Sequence, residues 1–242
     1  MGENFKYLSA KDIPAEERLI FALDVPSAAE ARRLVTALGD AVVFYKLGLE
    51  LFMAGGYFEL VEWLQGRGKK IFVDLKFFDV PETVRSAVRQ LRGRGVTFTT
   101  VHGNDGMLKA AAGEKDGLKI LAVTALTSLD QKDIETLGFA VNVKDLVLSR
   151  AKRALELGCD GVVSSGLEAP ELRKSFGEKF IIVTPGIRPV ANIDDQKRTV
   201  DVKTAFLNGA DYIVVGRPIR NAPDPEGTAR AIQQEIASLF RG

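Results

Sequence analysis

The sequence predicts an α/β protein built as a (β/α)8 TIM barrel, a single domain over residues 1–242. Three observations carry that prediction. Eight short apolar runs recur along the chain, each is followed by a longer charge-bearing stretch compatible with a helix, and the runs are nearly continuous in apolar character. Unbroken rather than alternating hydrophobicity marks strands buried on both faces of a parallel sheet. Eight units in 242 residues give roughly 30 residues each, the length of a minimal strand–helix crossover module. A doubly wound open sheet would more often show a glycine-rich turn after its first strand. Here the first run leaves through Asp24-Val25-Pro26 instead.

Taken in order, the expected strands are Leu19 to Asp24, Val42 to Gly48, Lys70 to Lys76, Val96 to His102, Leu118 to Ala125, Gly161 to Ser164, Phe180 to Thr184 and Asp211 to Gly216. Between them the clearest helices carry their own start and stop signals. Ser27 opens a helix that stops near Gly39, Glu82 to Arg92 ends before Gly93, and Lys144 to Leu157 ends at Gly158. The longest interval separates the fifth and sixth strands, so an enlarged loop is expected around Leu129 to Gly138. No low-complexity segment or linker divides the chain.

Composition narrows the function classes. Hydrophobic residues make up 46% and charged residues 27% of the chain, and 33 Lys and Arg stand against 32 Asp and Glu. A net charge of +1 gives no global field toward nucleic acid or an anionic membrane, so any anion site is local. One cysteine, Cys159, and one histidine, His102, build neither a disulfide nor a Cys/His zinc site. The expected setting is a reducing cytoplasm. The first twenty residues are peppered with charge and no run approaches a membrane span, so neither a signal peptide nor a transmembrane helix is expected.

In barrels of this kind the active site lies at the C-terminal ends of the strands. The polar residues there are Asp24, Lys46, Asp74, Lys76, His102, Thr124, Thr184 and Arg217. Asp74 and Lys76 are two apart and project to one face of their strand, and Lys46 is in phase with the apolar Val42 and Phe44. Buried Lys and Asp are costly unless paired, which makes a Lys/Asp array electrostatically sensible. Such an array is either a functional cluster or a salt-bridged plug that closes the barrel. His102 reads more simply as a structural hydrogen-bonding group. After the eighth strand, Gly216 and Arg217 stand where barrels often bind phosphate, with a charge-assisted contact available from the guanidinium. The seventh exit, Thr184 to Pro189, adds Pro185 and Arg188, the arginine being either a ligand contact or a surface ion pair.

The run Asp74-Leu-Lys-Phe-Phe-Asp-Val-Pro-Glu-Thr-Val84 resembles the signature of the orotidine 5'-phosphate decarboxylase family. It is joined in order by Phe21-Ala-Leu-Asp24, Tyr45-Lys-Leu-Gly48, Val123-Thr-Ala-Leu-Thr-Ser128, Val183-Thr-Pro-Gly-Ile-Arg188, Asp195-Gln196 and Val215-Gly-Arg217. The resemblance covers essentially the whole chain. It implies a homodimer that converts orotidine 5'-monophosphate to uridine 5'-monophosphate and CO₂ without metal or organic cofactor. It further implies a charged tetrad of Lys46, Asp74, Lys76 and Asp79, the last delivered from the partner subunit. Asp24 and the partner's Thr83 correspond to ribose contacts, Thr127 to the pyrimidine site and Pro185 to the base pocket. Gln196, Arg217 and the Gly216 backbone correspond to the phosphate site, and Val80 to an apolar wall beside the departing carboxylate. Phe78 stands where many members have His, and Glu82 replaces a frequent Asn.

In that reaction the carbanion left at C6 is poorly delocalised, and the Lys76 ammonium is the expected stabiliser and proton donor. Two other readings compete. A sugar-phosphate enzyme of the same suprafamily shares the Asp-x-Lys-x-x-Asp spacing but uses Mg²⁺ and an enediolate, so activity after EDTA treatment separates the two. A catalytically silent nucleotide-binding barrel would be expected to have lost a tetrad charge, and all four are present.

Overall fold

The computed structural model describes residues 7–188 and 199–240. Eight parallel strands close in sequence order into a barrel: β1 (Leu19–Ala22), β2 (Phe44–Leu47), β3 (Lys70–Phe77), β4 (Phe98–His102), β5 (Lys119–Val123), β6 (Gly161–Val163), β7 (Ile181–Thr184) and β8 (Tyr212–Val215). The seam is the pairing of β1 with β8, Leu19 opposite Ile213 and Phe21 opposite Val215. All eight expected runs are strands.

The helices pack around the barrel: α1 (Ala28–Leu38), α2 (Leu49–Ala54), α3 (Tyr57–Gln65), α4 (Pro81–Arg89), α5 (Asp105–Ala112), α6 (Gln131–Thr136), α7 (Val143–Glu156), α8 (Ala169–Phe176), α9 (Val202–Leu207), α10 (Arg217–Arg220) and α11 (Pro225–Phe240). Local chemistry sets their ends. The Ser27 side chain accepts from Glu30 N–H to start α1, and Gly39, at φ 51°, ends it, a backbone angle that favours glycine. α4 begins at Pro81, one residue before the expected start, because proline at the first helical position needs no amide partner. It ends at Arg89 rather than Arg92, and the chain then turns through Gly93 and Gly95, both at positive φ. The enlarged β5–β6 connection holds α6, opened by a reciprocal Asp130–Asp133 capping box, and α7.

Two apolar layers follow from the strand pleat. Inward residues form a plug in which Phe98 packs on Phe44 and Tyr212 with ring centroids 5.1 Å apart, and on Phe72 at 5.9 Å. Outward residues such as Phe21, Tyr45, Val73 and Ile182 join the helices in the larger core. Thr124 and Thr184, expected among the polar strand ends, are wholly buried and do not line the cleft at the mouth. Their positions alternate with cleft-lining Val123, Ala125 and Pro185, as the two-residue period requires.

At the end where the strands begin, Asp211 is fully buried and bound by Arg173 Nη2 at 2.7 Å, Lys11 Nζ at 3.0 Å, Ser9 Oγ at 2.5 Å and Ile182 N–H at 2.8 Å. Arg173 also donates to the carbonyls of Gly209 and Phe180, and Arg18 to that of Asp211. This network ties the N-terminal segment, α8 and β8 across one face. Among the described residues, no helix is long and apolar enough to cross a membrane.

Candidate active site

The plug that fills the lower barrel stops at Phe72, and above it the inward positions change from apolar to charged. A cavity of about 250 Å³ opens there. Its floor is Ala22, Phe72, Val123, Val163 and Val214. The next inward residues, Asp24, Lys46 and Asp74, rise from it with Lys76.

These charges share oxygens. Lys46 Nζ lies 3.2 Å from Asp24 Oδ1 and 3.2 Å from Asp74 Oδ2, and Lys76 Nζ lies 2.9 Å from the same Asp74 Oδ2. The other carboxylate oxygen, Oδ1, accepts from Thr100 Oγ1 at 2.9 Å. Burial alone would drive the Asp74 carboxyl toward its neutral form, but the two ammonium groups and the two hydrogen bonds outweigh it and hold the pKa at about 2. Lys46 is the mirror case. Burial pulls its pKa down, the Asp74 and Asp24 carboxylates outweigh that pull, and the net direction is up. At neutral pH both Asp74 and Lys46 are therefore charged within an apolar enclosure.

Lys76 reaches this place through an irregular strand. The β3–β4 pairing runs Phe72 opposite Phe98 and Val73 opposite Thr99, then resumes only at Phe77 opposite Val101. Lys76, at φ 49°, sits inside that shift, a conformation that bulky residues adopt only when the surroundings enforce it. Gly48 serves the array by its lack of a side chain. A Cβ there would stand 3.2 Å from Asp24 Oδ1 and 3.5 Å from Lys46 Nζ.

On the far rim are Leu126, Thr127 and Ser128 after β5, Pro185, Gly186 and Arg188 after β7, and Gly216 and Arg217 after β8. The β7 exit is fixed by a bridge in which Arg188 N–H donates to Val200 O at 3.0 Å. Gly216 precedes α10, and its carbonyl accepts from the Ile219 and Arg220 amides at 3.0 Å each. The Arg220 guanidinium donates to the Asp24 carbonyl, tying the first exit to the last.

Of the residues singled out from the sequence, the structure thus gathers Asp24, Lys46, Asp74, Lys76, Thr127, Pro185, Arg188, Gly216 and Arg217 around one cavity. Asp79, Val80 and Thr83 are exposed and do not line it within this chain. Asp79 Oδ1 accepts from Val80 N–H at 2.6 Å, at the turn that leads into Pro81. Gln196 lies outside the described residues. His102 is not a cavity-lining residue; its ring packs edge-on against Phe78 at 5.4 Å, and burial, with the Arg150 and Lys76 cations, lowers its pKa. The sequence pattern gives no role to Thr100, to the bare backbone of Gly48 or to the apolar floor. The floor could have been found by stepping back two residues from each strand-end charge, from Asp24 to Ala22 and from Asp74 to Phe72.

Cys159 is buried and does not line the cavity, and burial, with the Asp160 charge beside it, pushes its thiol up to about 12. Among the described residues, no three His, Cys, Asp or Glu side chains are gathered to hold a metal ion.

A closed barrel that sets two lysines and their shared carboxylate over an apolar floor, with arginines on the opposite rim, has the make-up of an enzyme site for an anionic small molecule. Comparison with known proteins narrows the class. Residues 17–232 match the Orotidine 5'-phosphate decarboxylase / HUMPS family, and the chain belongs to that family. It is 61% identical to the orotidine 5'-phosphate decarboxylase of Methylococcus capsulatus, over 97% of this chain and 98% of the relative. It is 50% identical to that of Stenotrophomonas maltophilia, over 93% and 95% of the two chains. The crystal structure of orotidine 5'-phosphate decarboxylase from Lactobacillus acidophilus superimposes with a TM-score of 0.81 at 38% identity, covering 91% of this chain and 99% of that one.

Proposed function

We infer that this barrel converts orotidine 5'-monophosphate to uridine 5'-monophosphate and CO₂ in pyrimidine nucleotide synthesis. Family membership and the two relatives of 50% and 61% identity support the reaction. The observation that carries the chemistry is the sharing of one charged, buried carboxylate, Asp74, between Lys46 and Lys76.

The bond from C6 to the carboxyl carbon breaks, its electron pair stays on C6, and CO₂ leaves. Lys76, the least buried of the three, stabilises that pair and then gives its proton to C6, to be reprotonated from solvent. Asp74 orients the ammonium through their 2.9 Å ion pair, and it repels the substrate carboxylate. The apolar floor keeps the local dielectric low, so each charge acts more strongly than it would in water. Asp24 serves the ribose, Thr127 and Pro185 the base, and Gly216, Arg217, Arg188 and Gln196 the phosphate. Phosphate binding energy is then available to order the array in the transition state.

The active unit is a homodimer in which Asp79 and Thr83 complete the neighbour's site and Val80 forms its apolar wall. Their exposure in the single chain supports this, as does the exposure of the large apolar Phe78 and Val80 beside them. The buried free thiol of Cys159 suits a cytoplasmic enzyme.

Mixing the purified protein with orotidine 5'-monophosphate and following the loss of pyrimidine absorbance tests the reaction. Stoichiometric uridine 5'-monophosphate and CO₂ are expected, and a folded protein that leaves the absorbance unchanged contradicts the assignment. Mixing Asp79→Ala with Lys76→Ala subunits tests the assembly. Each is nearly inactive alone, and the heterodimer regains one intact site; no recovery after full exchange would mean that each site is built from one chain.

A further inference from the structure

The Asp74–Lys76 pair depends on a residue that touches neither the cavity nor any substrate position. Thr100 lies on the inner face of β4, in phase with Phe98 of the plug, and is fully buried. Its hydroxyl makes two hydrogen bonds in opposite senses. Oγ1 accepts from the Lys76 backbone N–H at 3.0 Å and donates to Asp74 Oδ1 at 2.9 Å. An ionised carboxylate only accepts and a backbone amide only donates, so a group that joins them must do both, and a hydroxyl is the smallest side-chain group that does.

The need for such a group comes from the irregularity in the sheet. Between Val73–Thr99 and Phe77–Val101 the regular ladder is interrupted, and a buried amide left without an acceptor is costly. The Thr100 hydroxyl supplies the acceptor at the residue whose φ of 49° departs from strand geometry. The same atom orients the carboxylate that carries both ammonium groups. Backbone placement of Lys76 and side-chain placement of Asp74 therefore meet at one oxygen.

Resting on the reaction inferred above, we propose that Thr100 is a positioning residue for decarboxylation: its hydroxyl pins the bulged backbone of Lys76 and the carboxylate of Asp74 in one arrangement, and so sets where the ammonium points. Loss of that hydroxyl lowers turnover through misplacement of Lys76, while the contacts that hold ribose, base and phosphate are untouched.

Thr99 provides a matched control. It is adjacent, is equally buried, and its hydroxyl donates to Val73 O at 3.0 Å, but its side chain faces the helices and meets no member of the array. The experiment measures kcat, KM and the dissociation constant of uridine 5'-monophosphate for wild type, Thr100→Val, Thr100→Ala, Thr100→Ser and Thr99→Val, with rates expressed per folded molecule. Small misplacements of reacting groups cost about 100-fold, and a loss of about that size in kcat is expected for Thr100→Val and Thr100→Ala. Product affinity and KM stay within about threefold, Thr100→Ser recovers kcat to within about tenfold of wild type, and Thr99→Val keeps it within about threefold, on the same reasoning that only the array is displaced. If Thr100→Val does not fold, the alanine and serine variants decide, since they differ by the hydroxyl alone. Wild-type kcat in a folded variant lacking the hydroxyl, or an equal loss in Thr99→Val, would overturn the proposal. A wild-type protein that binds the product but does not decarboxylate the substrate would instead overturn the reaction on which it rests.

Discussion

At the end where the strands begin, Asp211 is enclosed by Arg173, Lys11, Ser9 and the Ile182 amide, and its side chain is wholly inaccessible, with Arg173 at 2%. At the mouth, Asp74 also holds two cations, yet the Lys76 side chain is 32% exposed and both lysines border a cavity. Both are carboxylates that bridge cations, and they differ in what lies beyond them. The Asp211 network ends on backbone carbonyls and, through Lys11 and Arg173, on the exposed carboxylate of Glu178, so its polar groups are used to join segments distant in sequence. The Asp74 array is bounded by open volume and an apolar floor, so its field points at whatever enters. The open cavity beside the mouth charges favours the functional reading of them over the salt-bridged plug.

That contrast makes separable predictions. The largest effect is expected of Lys76→Ala, which on the mechanism inferred above removes both the proton donor and a stabilising charge. Proton transfer and electrostatic stabilisation together are worth at least about 10⁴-fold in kcat, while unfolding free energy should stay within about 1 kcal/mol because the side chain is partly exposed. Single-turnover kinetics and denaturant unfolding on the same preparation check both halves. Asp211→Ala should do the reverse. Leaving Arg173 and Lys11 without their buried partner costs about 3–5 kcal/mol of stability, and turnover per folded molecule should equal that of wild type. A stable Asp211→Ala protein with lost activity would erase the distinction between the two ends. Arg217→Ala sharpens the comparison within the mouth. Truncation of one partner of a buried charged pair costs ~2–4 kcal/mol, expected here in kcat/KM for the phosphorylated substrate and nearly absent for the phosphate-free nucleoside. An equal proportional loss on both substrates would place Arg217 in support of the barrel and shift the phosphate site toward Arg188.

How much of this was legible in the sequence depends on the range over which each signal acts. The strands were legible because burial on both faces writes unbroken apolar runs, and the strand-end charges because Lys46, Asp74 and Lys76 interrupt such runs at inward positions. Thr100 was not, since a β-branched threonine inside Phe98–His102 is what a strand prefers anyway, and its second role exists only because β3 bulges opposite it. Alternation brings Asp74 and Lys76 to the same face but says nothing of the positive φ at Lys76. The Asp211 network was invisible because its partners Ser9 and Lys11 lie 202 and 200 positions away, and no local pattern announces them. Phe78 could not be placed by its difference from the family's commoner His; the structure gives it a contact, the ring of His102.

The central claim is that the mouth charges exist for the reaction and the fold does not need them. The most direct test replaces Asp74 and both of its lysines with apolar side chains of similar volume, Lys46→Met, Asp74→Leu and Lys76→Met together, and measures unfolding free energy beside turnover of orotidine 5'-monophosphate. Apolar replacement of a buried ion-pair triad is often neutral or stabilising by about 1–4 kcal/mol, so the account predicts a barrel at least as stable as wild type with no detectable decarboxylation. A triple variant that loses several kcal/mol of stability would contradict it, and would make the array at the mouth a structural ion-pair network like the one around Asp211.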